Sequence, residues 1–390
     1  MRMIYTGKGQ ITVIALMAIW SVSALTSLPG LAVSPISEEL SKIFPTATEL
    51  DIQLLTTLPS LLIIPFILLA GYISERVGYI KLLYTGLYLF LLSGALYFVC
   101  GRMGQLIAVS ALLGVGAGII IPLSTSLVSR FFTGEERTRQ FGYVSAITNI
   151  ALVVATAITG WLADLQWRLP FLVYLLPIVS IFLLPAIKSA EDDVVKVNNV
   201  AVCKGGSVYY SGLVKYMLYY LFITYLVMAV SIDLPFLLGK YGYDSGVSGV
   251  VTAIFFLAMM LPGLFINRIL AVLGKNVLLW SLLLIGLGLL DVYVNSSLTF
   301  ITLGCVVAGF GYGVAQPYIY DMASKLASAN KVTYALALVM VMNYVAIVIS
   351  PFVLEAGQEL FGAKGEAFPF LFNAVAAGIG LLILLIRRKF

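Results

Sequence analysis

Apolar residues along this chain gather into twelve stretches, at about 11–33, 51–73, 80–100, 105–128, 141–163, 169–187, 213–237, 246–270, 276–294, 297–320, 332–354 and 367–386. A hydrocarbon core of about 30 Å takes about 20 helical residues to cross, and inside it every backbone polar group must be satisfied within the segment. Each stretch is therefore read as a transmembrane helix, and the chain as an all-α polytopic membrane protein. The polar gaps are short except for 188–212, which carries "KSAEDDVVKVNNVAVCKGG" and divides the stretches six and six. The expected organisation is a six-helix bundle over 1–187, a cytoplasmic linker over 188–212 and a second six-helix bundle over 213–390. Arg2 and Lys8 before an apolar run ending in "SVSA" imitate a signal peptide. The length of that first stretch argues instead for a retained span.

Composition agrees with the pattern. Of 390 residues 61% are hydrophobic and 11% charged, with a mean hydropathy of +1.05, where soluble domains run at roughly 25% charged. The chain contains no histidine, which excludes His-based triads, His zinc sites and imidazole relays. Cys100, Cys203 and Cys305 are widely spaced and suggest neither a metal cluster nor a disulfide framework. A net charge of +5 with scattered basic residues does not form a nucleic-acid patch.

The placement of charge matters more than its sum. With the N-terminus in the cytoplasm, only Lys42, Arg102, Arg168, Lys240 and Lys364 of the 23 Lys and Arg residues fall in outer gaps. That positive-inside bias places both termini in the cytoplasm of a cytoplasmic (inner) membrane.

The two halves also repeat each other. "GVGAGIIIPLSTSLVSR" from Gly114 aligns with "GFGYGVAQPYIYDMASK" from Gly309, so that Gly114, Gly116, Gly118 and Pro122 face Gly309, Gly311, Gly313 and Pro317 at one constant offset. "GYISER" from Gly71 likewise matches "GLFINR" from Gly263, at a slightly shorter offset. A parallel repeat of six plus six implies two pseudo-symmetric bundles related by an axis along the membrane normal, with solute bound between them. The glycines are expected to serve close helix packing.

These features resemble the major facilitator superfamily over essentially the whole chain. The most specific residues follow the second span, where "GYISERVGYIK" keeps Gly71, Arg76 and Gly78 of the family's G-x-L-A-D-R-x-G-R-K motif, with Glu75 in place of its Asp, Tyr79 in place of an Arg and Lys81 one place late. The resemblance implies that Glu75 bridges the cytoplasmic ends of the halves and favours an outward-open state, with Arg130 and the start of span eleven near Thr333 as its surroundings. Asn267-Arg268 stand at the second copy, so that half is expected to lack the acidic latch. The likeness is to bacterial efflux members, but the drug-proton antiporter motifs are only partly kept. Ser110 replaces an arginine in span four, and span five has Ala155-Thr156-Ala157-Ile158-Thr159-Gly160 in place of a G-P-x-x-G-G turn.

Ionisable residues inside spans are costly and invite a functional reading. Asp233, set among apolar residues of span seven, is the candidate proton carrier. Asp321 lies near the cytoplasmic end of span ten, one turn from Lys325, as an inner gate or ion pair. In the superfamily spans one, four, seven and ten line the cavity, which makes Trp20, Ser23 and Thr26, Tyr225 and Met228, and Gln316 and Tyr320 candidates for solute contact. Asn149 and Asn343 occupy matching places on spans five and eleven. No arginine or lysine stands in mid-span, so the cavity suits a neutral, amphipathic or weakly cationic solute.

The expected function is secondary active transport by alternating access, as proton-coupled export of a small organic solute. Proton- or sodium-coupled uptake of a neutral metabolite is the second reading, and a non-transporting receptor or scaffold on the same fold the third. No enzyme chemistry and no cofactor are implied, the energy source being a proton or sodium gradient. The expected partners are the solute and the lipid bilayer, without nucleic acid, and the chain is expected to act as a monomer.

Overall fold

The computed structural model describes residues 3–7, 9–33, 36, 40, 42–45, 47–197, 208–328, 330–362 and 365–389, and within these the side chains of 49, 50, 75, 164, 188–197, 245 and 387–389 lie outside the description. Strands β1 (Met3–Tyr5) and β2 (Gln10–Thr12) lead into α1 (Val13–Ala24). The first bundle continues with α2 (Glu49–Val77), α3 (Tyr79–Val99), α4 (Met103–Phe131), α5 (Gly134–Leu165) and α6 (Pro177–Val197). The second contains α7 (Tyr210–Ile232), α8 (Leu234–Lys240), α9 (Ser245–Leu264), α10 (Ile266–Leu273), α11 (Val277–Val294), α12 (Leu298–Lys325), α13 (Val332–Phe361) and α14 (Phe368–Lys389).

Eleven segments of the described chain are long and apolar enough to cross a bilayer, and the first, Val13–Ser27, is a shorter apolar helix. Large apolar side chains such as Phe182 (80% exposed), Leu61 (56%) and Val250 (60%) cover the outside, as a lipid-facing surface requires. Helix α6 runs through Val197, into the segment expected as a linker, and 198–207 lie outside the described residues.

Local chemistry explains the ends and breaks. Thr48 caps α2 by accepting from the Asp51 N–H at 3.2 Å, while Asp51 accepts from the Thr48 N–H at 2.8 Å, a reciprocal capping box. Gly78, at φ +86°, takes the left-handed conformation that lets α3 start directly after α2. Span seven is not continuous. Pro235 has no N–H to return to Ser231, and the helix divides at Asp233 between α7 and α8. Span eight likewise ends early at Leu264, after Pro262. Span six opens as a 3-10 helix over Leu169–Leu175 before α6.

The β1–β2 hairpin departs from an all-helical reading. Met3 pairs with Thr12, and the turn closes as the Thr6 N–H donates to the Gly9 carbonyl at 2.9 Å. The Thr133 N–H then donates to the Thr6 carbonyl at 3.0 Å, docking the hairpin on the connection between α4 and α5. This face of the molecule is called the hairpin end below.

The glycine repeat is a packing repeat. A Cβ on Gly114 would stand 2.7 Å from Pro59 Cα of α2, and one on Gly116 2.8 Å from Phe90 N of α3. In the second bundle a Cβ on Gly309 would stand 2.7 Å from the Phe255 carbonyl oxygen of α9, and one on Gly311 2.8 Å from that of Ser281 on α11. Helices α4 and α12 therefore each press against two neighbours at backbone contact, in the same pattern.

Candidate solute site and gate

The bundles meet along two related seams. On one, a Cβ at Gly71 of α2 would lie 2.7 Å from Ala337 Cβ of α13, and Arg130 Nη2 donates to Thr333 Oγ1 at 3.2 Å. The Arg130 guanidinium also lies over the Tyr79 ring, 4.2 Å from its centroid. On the other, Gly263 of α9, the counterpart of Gly71, packs backbone to backbone on Gly142 of α5. Asn267 Nδ2 donates to the Glu135 carbonyl at 3.1 Å across this seam. The position that carries a basic-acidic motif in the first half thus makes an uncharged inter-bundle bond in the second.

Charge returns nearby through Asp321. Its side chain is 1% exposed, and it accepts from Arg137 Nε at 2.8 Å and pairs with Lys325 Nζ at 2.6 Å. The Arg137 bond joins the bundles. Lys325 stands on Asp321's own helix, at the predicted spacing, whereas Arg137 as a partner was not foreseen. The Glu75 side chain lies outside the described residues. Its neighbour Arg76 hydrogen-bonds the Tyr72 hydroxyl and covers that ring at 4.7 Å.

Deeper in the seam the contacts become a polar network. Ser145 of α5 donates to Gln316 Oε1 of α12 at 2.7 Å, crossing between bundles. Gln316 Nε2 donates to the Tyr220 hydroxyl at 3.0 Å, and the Tyr220 and Tyr320 hydroxyls are hydrogen-bonded to each other at 2.8 Å. Tyr312 continues the chain to Tyr220 at 3.2 Å and donates to Asn343 Oδ1 at 3.2 Å. Thr224 also donates to Asn343 Oδ1, at 3.4 Å. Tyr312, Gln316 and Tyr320 stand at successive four-residue steps of α12, and Tyr220 and Thr224 at one such step of α7, so each set forms a single face. That spacing was the available signal for Tyr220, Thr224 and Tyr312, which the sequence reading did not select.

Trp20 joins the same region from the first bundle. Its indole N–H donates to Gln140 Oε1 of α5 at 3.1 Å, and the ring meets Tyr143 edge-on at 6.1 Å. Phe141, between them, packs on Tyr320 at 6.1 Å. The other candidates use their donors within their own helices. Ser23 bonds to the Ile19 carbonyl at 2.9 Å, Thr26 to that of Ser23 at 2.7 Å, and Asn149 to that of Ser145 at 2.8 Å.

Met228 stands one four-residue step beyond Thr224 and so continues the Tyr220–Thr224 face of α7, whereas Tyr225 lies off that face. Met228 is half-buried against the apolar core. The Tyr225 hydroxyl, Ser231 Oγ and Asp233 Oδ2 are buried atoms without a hydrogen-bond partner among the described residues. All three sit on the last turns of α7, where the helix breaks.

A model of the Major Facilitator Superfamily matches residues 12–207 and 216–389. The chain belongs to that superfamily. Its members are transporters, and this chain is a multi-pass membrane protein of the superfamily's twelve-helix fold. Over 108 residues, 27% of the chain, it is 32% identical to the multidrug transporter protein MdtP of Bacillus subtilis (strain 168). Over 114 residues, 29% of the chain, it is 28% identical to the quinolone resistance protein NorA of Staphylococcus aureus (strain Mu50 / ATCC 700699). These matches span 20% of MdtP and 29% of NorA. Among solved structures, the human organic anion transporter MFSD10 superposes with a TM-score of 0.72 at 17% identity, covering 95% of this chain and 98% of that one. The proton:xylose symporter XylE superposes at 0.68 and 14% identity, covering 95% of this chain and 94% of its own. At such identities these superfamily structures share the fold.

Proposed function

We propose that this superfamily member is a secondary active transporter of the cytoplasmic membrane that exports a small neutral or amphipathic compound in exchange for protons. The observation that carries the reading is the Ser145–Gln316–Tyr220–Tyr320 network, a set of hydrogen-bonding groups bridging the two bundles within the spans. Polar groups in such a place need partners, and a solute with hydroxyl, carbonyl or amine groups exchanges bonds with them as the bundles separate. The tyrosine rings supply the apolar faces that an amphipathic compound requires.

The efflux direction is supported by the stretches shared with MdtP and NorA. With both termini cytoplasmic, as the charge distribution indicates, the hairpin end faces the cytoplasm. The Gly71, Gly142 and Asp321 contacts then belong to the outward-facing arm of the cycle. Asp233 is the proton carrier in this account. It stands at a helix break with one oxygen unpartnered, a place where binding and releasing a proton disturbs no helical hydrogen bond. One proton crossing 100 mV supplies about 2.3 kcal/mol, enough for about a fiftyfold gradient.

The test uses purified protein in liposomes with an imposed pH gradient and a panel of neutral and amphipathic compounds. Gradient-driven flux is expected from the wild type. Asp233→Asn is expected to abolish driven flux while leaving counterflow exchange. Full driven transport by Asp233→Asn contradicts the coupling role, and no flux or exchange of any compound contradicts transport itself.

A further inference from the structure

We propose that a groove on the outside of the second bundle holds an anionic phospholipid of the surrounding leaflet. The groove lies between α7, α11 and α14, all of one bundle, and so is separate from the solute site. Its volume is about 610 Å³, within the range of about 300 to 1,000 Å³ that holds small ligands. Its walls are apolar, with Phe222 from α7, Leu282 from α11 and Ile379 from α14 among them. Ile379 is 54% exposed, and the groove opens sideways to the bilayer. Gly380 makes room for the Phe222 ring, since a Cβ there would fall 2.6 Å from Phe222 Cε1. Tyr219, also on the lining, donates its hydroxyl to the Leu278 carbonyl, so that donor is used within the bundle.

Two cations stand at the mouth of this slot. Lys215 lies near the start of α7 and Lys275 in the turn before α11; both are exposed, and neither pairs with a carboxylate among the described residues. From Lys275 to Leu282 the groove descends seven residues, about 10 Å at 1.5 Å per residue. It continues along α11 and α14 in a second apolar groove of about 250 Å³ that shares Leu282 and reaches Leu290. A leaflet is about 15 Å of hydrocarbon deep. Paired ammonium groups at headgroup height above an acyl-sized apolar slot complement a phosphate ester with a hydrocarbon tail. A basic recess between transmembrane helices is the arrangement that holds anionic headgroups.

The test is native mass spectrometry of the full-length delipidated protein titrated with phosphatidylglycerol, phosphatidylcholine or glycerol phosphate. Phosphatidylglycerol is expected to be retained above phosphatidylcholine, and glycerol phosphate alone to bind negligibly. Lys215→Gln and Lys275→Gln are each expected to weaken retention about fivefold. Lys215→Arg with Lys275→Arg should keep it, as should Lys240→Gln at the end of α8. Ile379→Trp, which narrows the slot and spares both lysines, is expected to weaken it as well. Equal retention of the two lipids, undiminished retention in the lysine-to-glutamine double variant, or glycerol phosphate binding as tightly as the lipid would each overturn the proposal.

Discussion

Helices α4 and α12 fill equivalent places in the two bundles, yet they present different chemistry to the seam between them. At a constant offset, Ala117 stands where Tyr312 does, Ile121 where Gln316 does, Thr125 where Tyr320 does, and Ser126 where Asp321 does. The glycines interleaved with these positions are identical. Close backbone approach on two sides fixes the glycines, because any side chain there overlaps a neighbouring helix. The seam-facing positions carry no such restriction. One helix carries apolar side chains and hydroxyls turned back on its own carbonyls, the other hydrogen-bonding groups that reach beyond it, and in the proposed account solute recognition is concentrated in the second bundle.

The largest expected effect separates Asp321 from Ser126. Asp321→Ala leaves Arg137, whose side chain is 13% exposed, without the carboxylate it bonds, at a cost of about 3 to 5 kcal/mol. Ser126 only returns its hydroxyl to the Leu123 carbonyl at 2.9 Å, and Ser126→Ala is expected to cost about 1 kcal/mol. Thermal unfolding of the two variants in the same detergent checks this, and equal losses would break the asymmetry.

Next come Gln316 and Ile121. Gln316→Leu strands the Ser145 hydroxyl and removes a donor to Tyr220, at about 1 to 3 kcal/mol for an orphaned buried group. It is expected to weaken solute binding about tenfold, a difference of about 1.4 kcal/mol. Ile121→Val should change binding less than threefold, since it alters only apolar volume. Titration calorimetry with a transported compound measures both. Tyr320→Phe removes a single hydroxyl from the network, with an expected loss of about fivefold for a bond worth about 1 kcal/mol.

The smallest effect lies on the Lys240–Glu366 pair, 3.4 Å apart and half exposed. The Glu366 carboxyl is held below its usual range first by its own backbone N–H and then by Lys240. Any stability it contributes is present above the ordinary glutamate range and lost as pH falls through the depressed value. Exposed pairs of this kind contribute little. Lys240→Gln is expected to leave the unfolding temperature unchanged at neutral pH.

Much of the fold was legible because bilayer physics leaves few options: long apolar runs had to be helices, and the Gly114 and Gly309 runs announced their packing. The breaks were harder. Pro235 signals an interruption, but a span that continues apolar through Leu238 gave no sign that the helix divides at Asp233. The hairpin was hidden because its two strands are three residues each and the bond that docks it comes from Thr133, far along the chain. At the site, Gln316, Tyr320 and Asn343 were selected by polarity and fall in one network. Tyr220 and Thr224 were passed over while Tyr225, off their face, was selected, because sequence alone does not say which face of a uniformly apolar helix meets the seam. Arg137 was counted only as an inner charge, since its partner Asp321 comes from the other bundle.

The central claim is that the bundles touching at the hairpin end part there during transport. The most direct measurement places spin labels at Glu135 and Arg268, exposed residues on opposite sides of the α5–α9 seam, in a background with the native cysteines replaced. Distances are then read by double electron–electron resonance. Alternating access predicts a short distance in the resting protein and a second, longer population when the Arg137 bond is removed by Asp321→Ala or when solute is bound. A single unchanged distance under all of these conditions, in protein that binds solute, would contradict it.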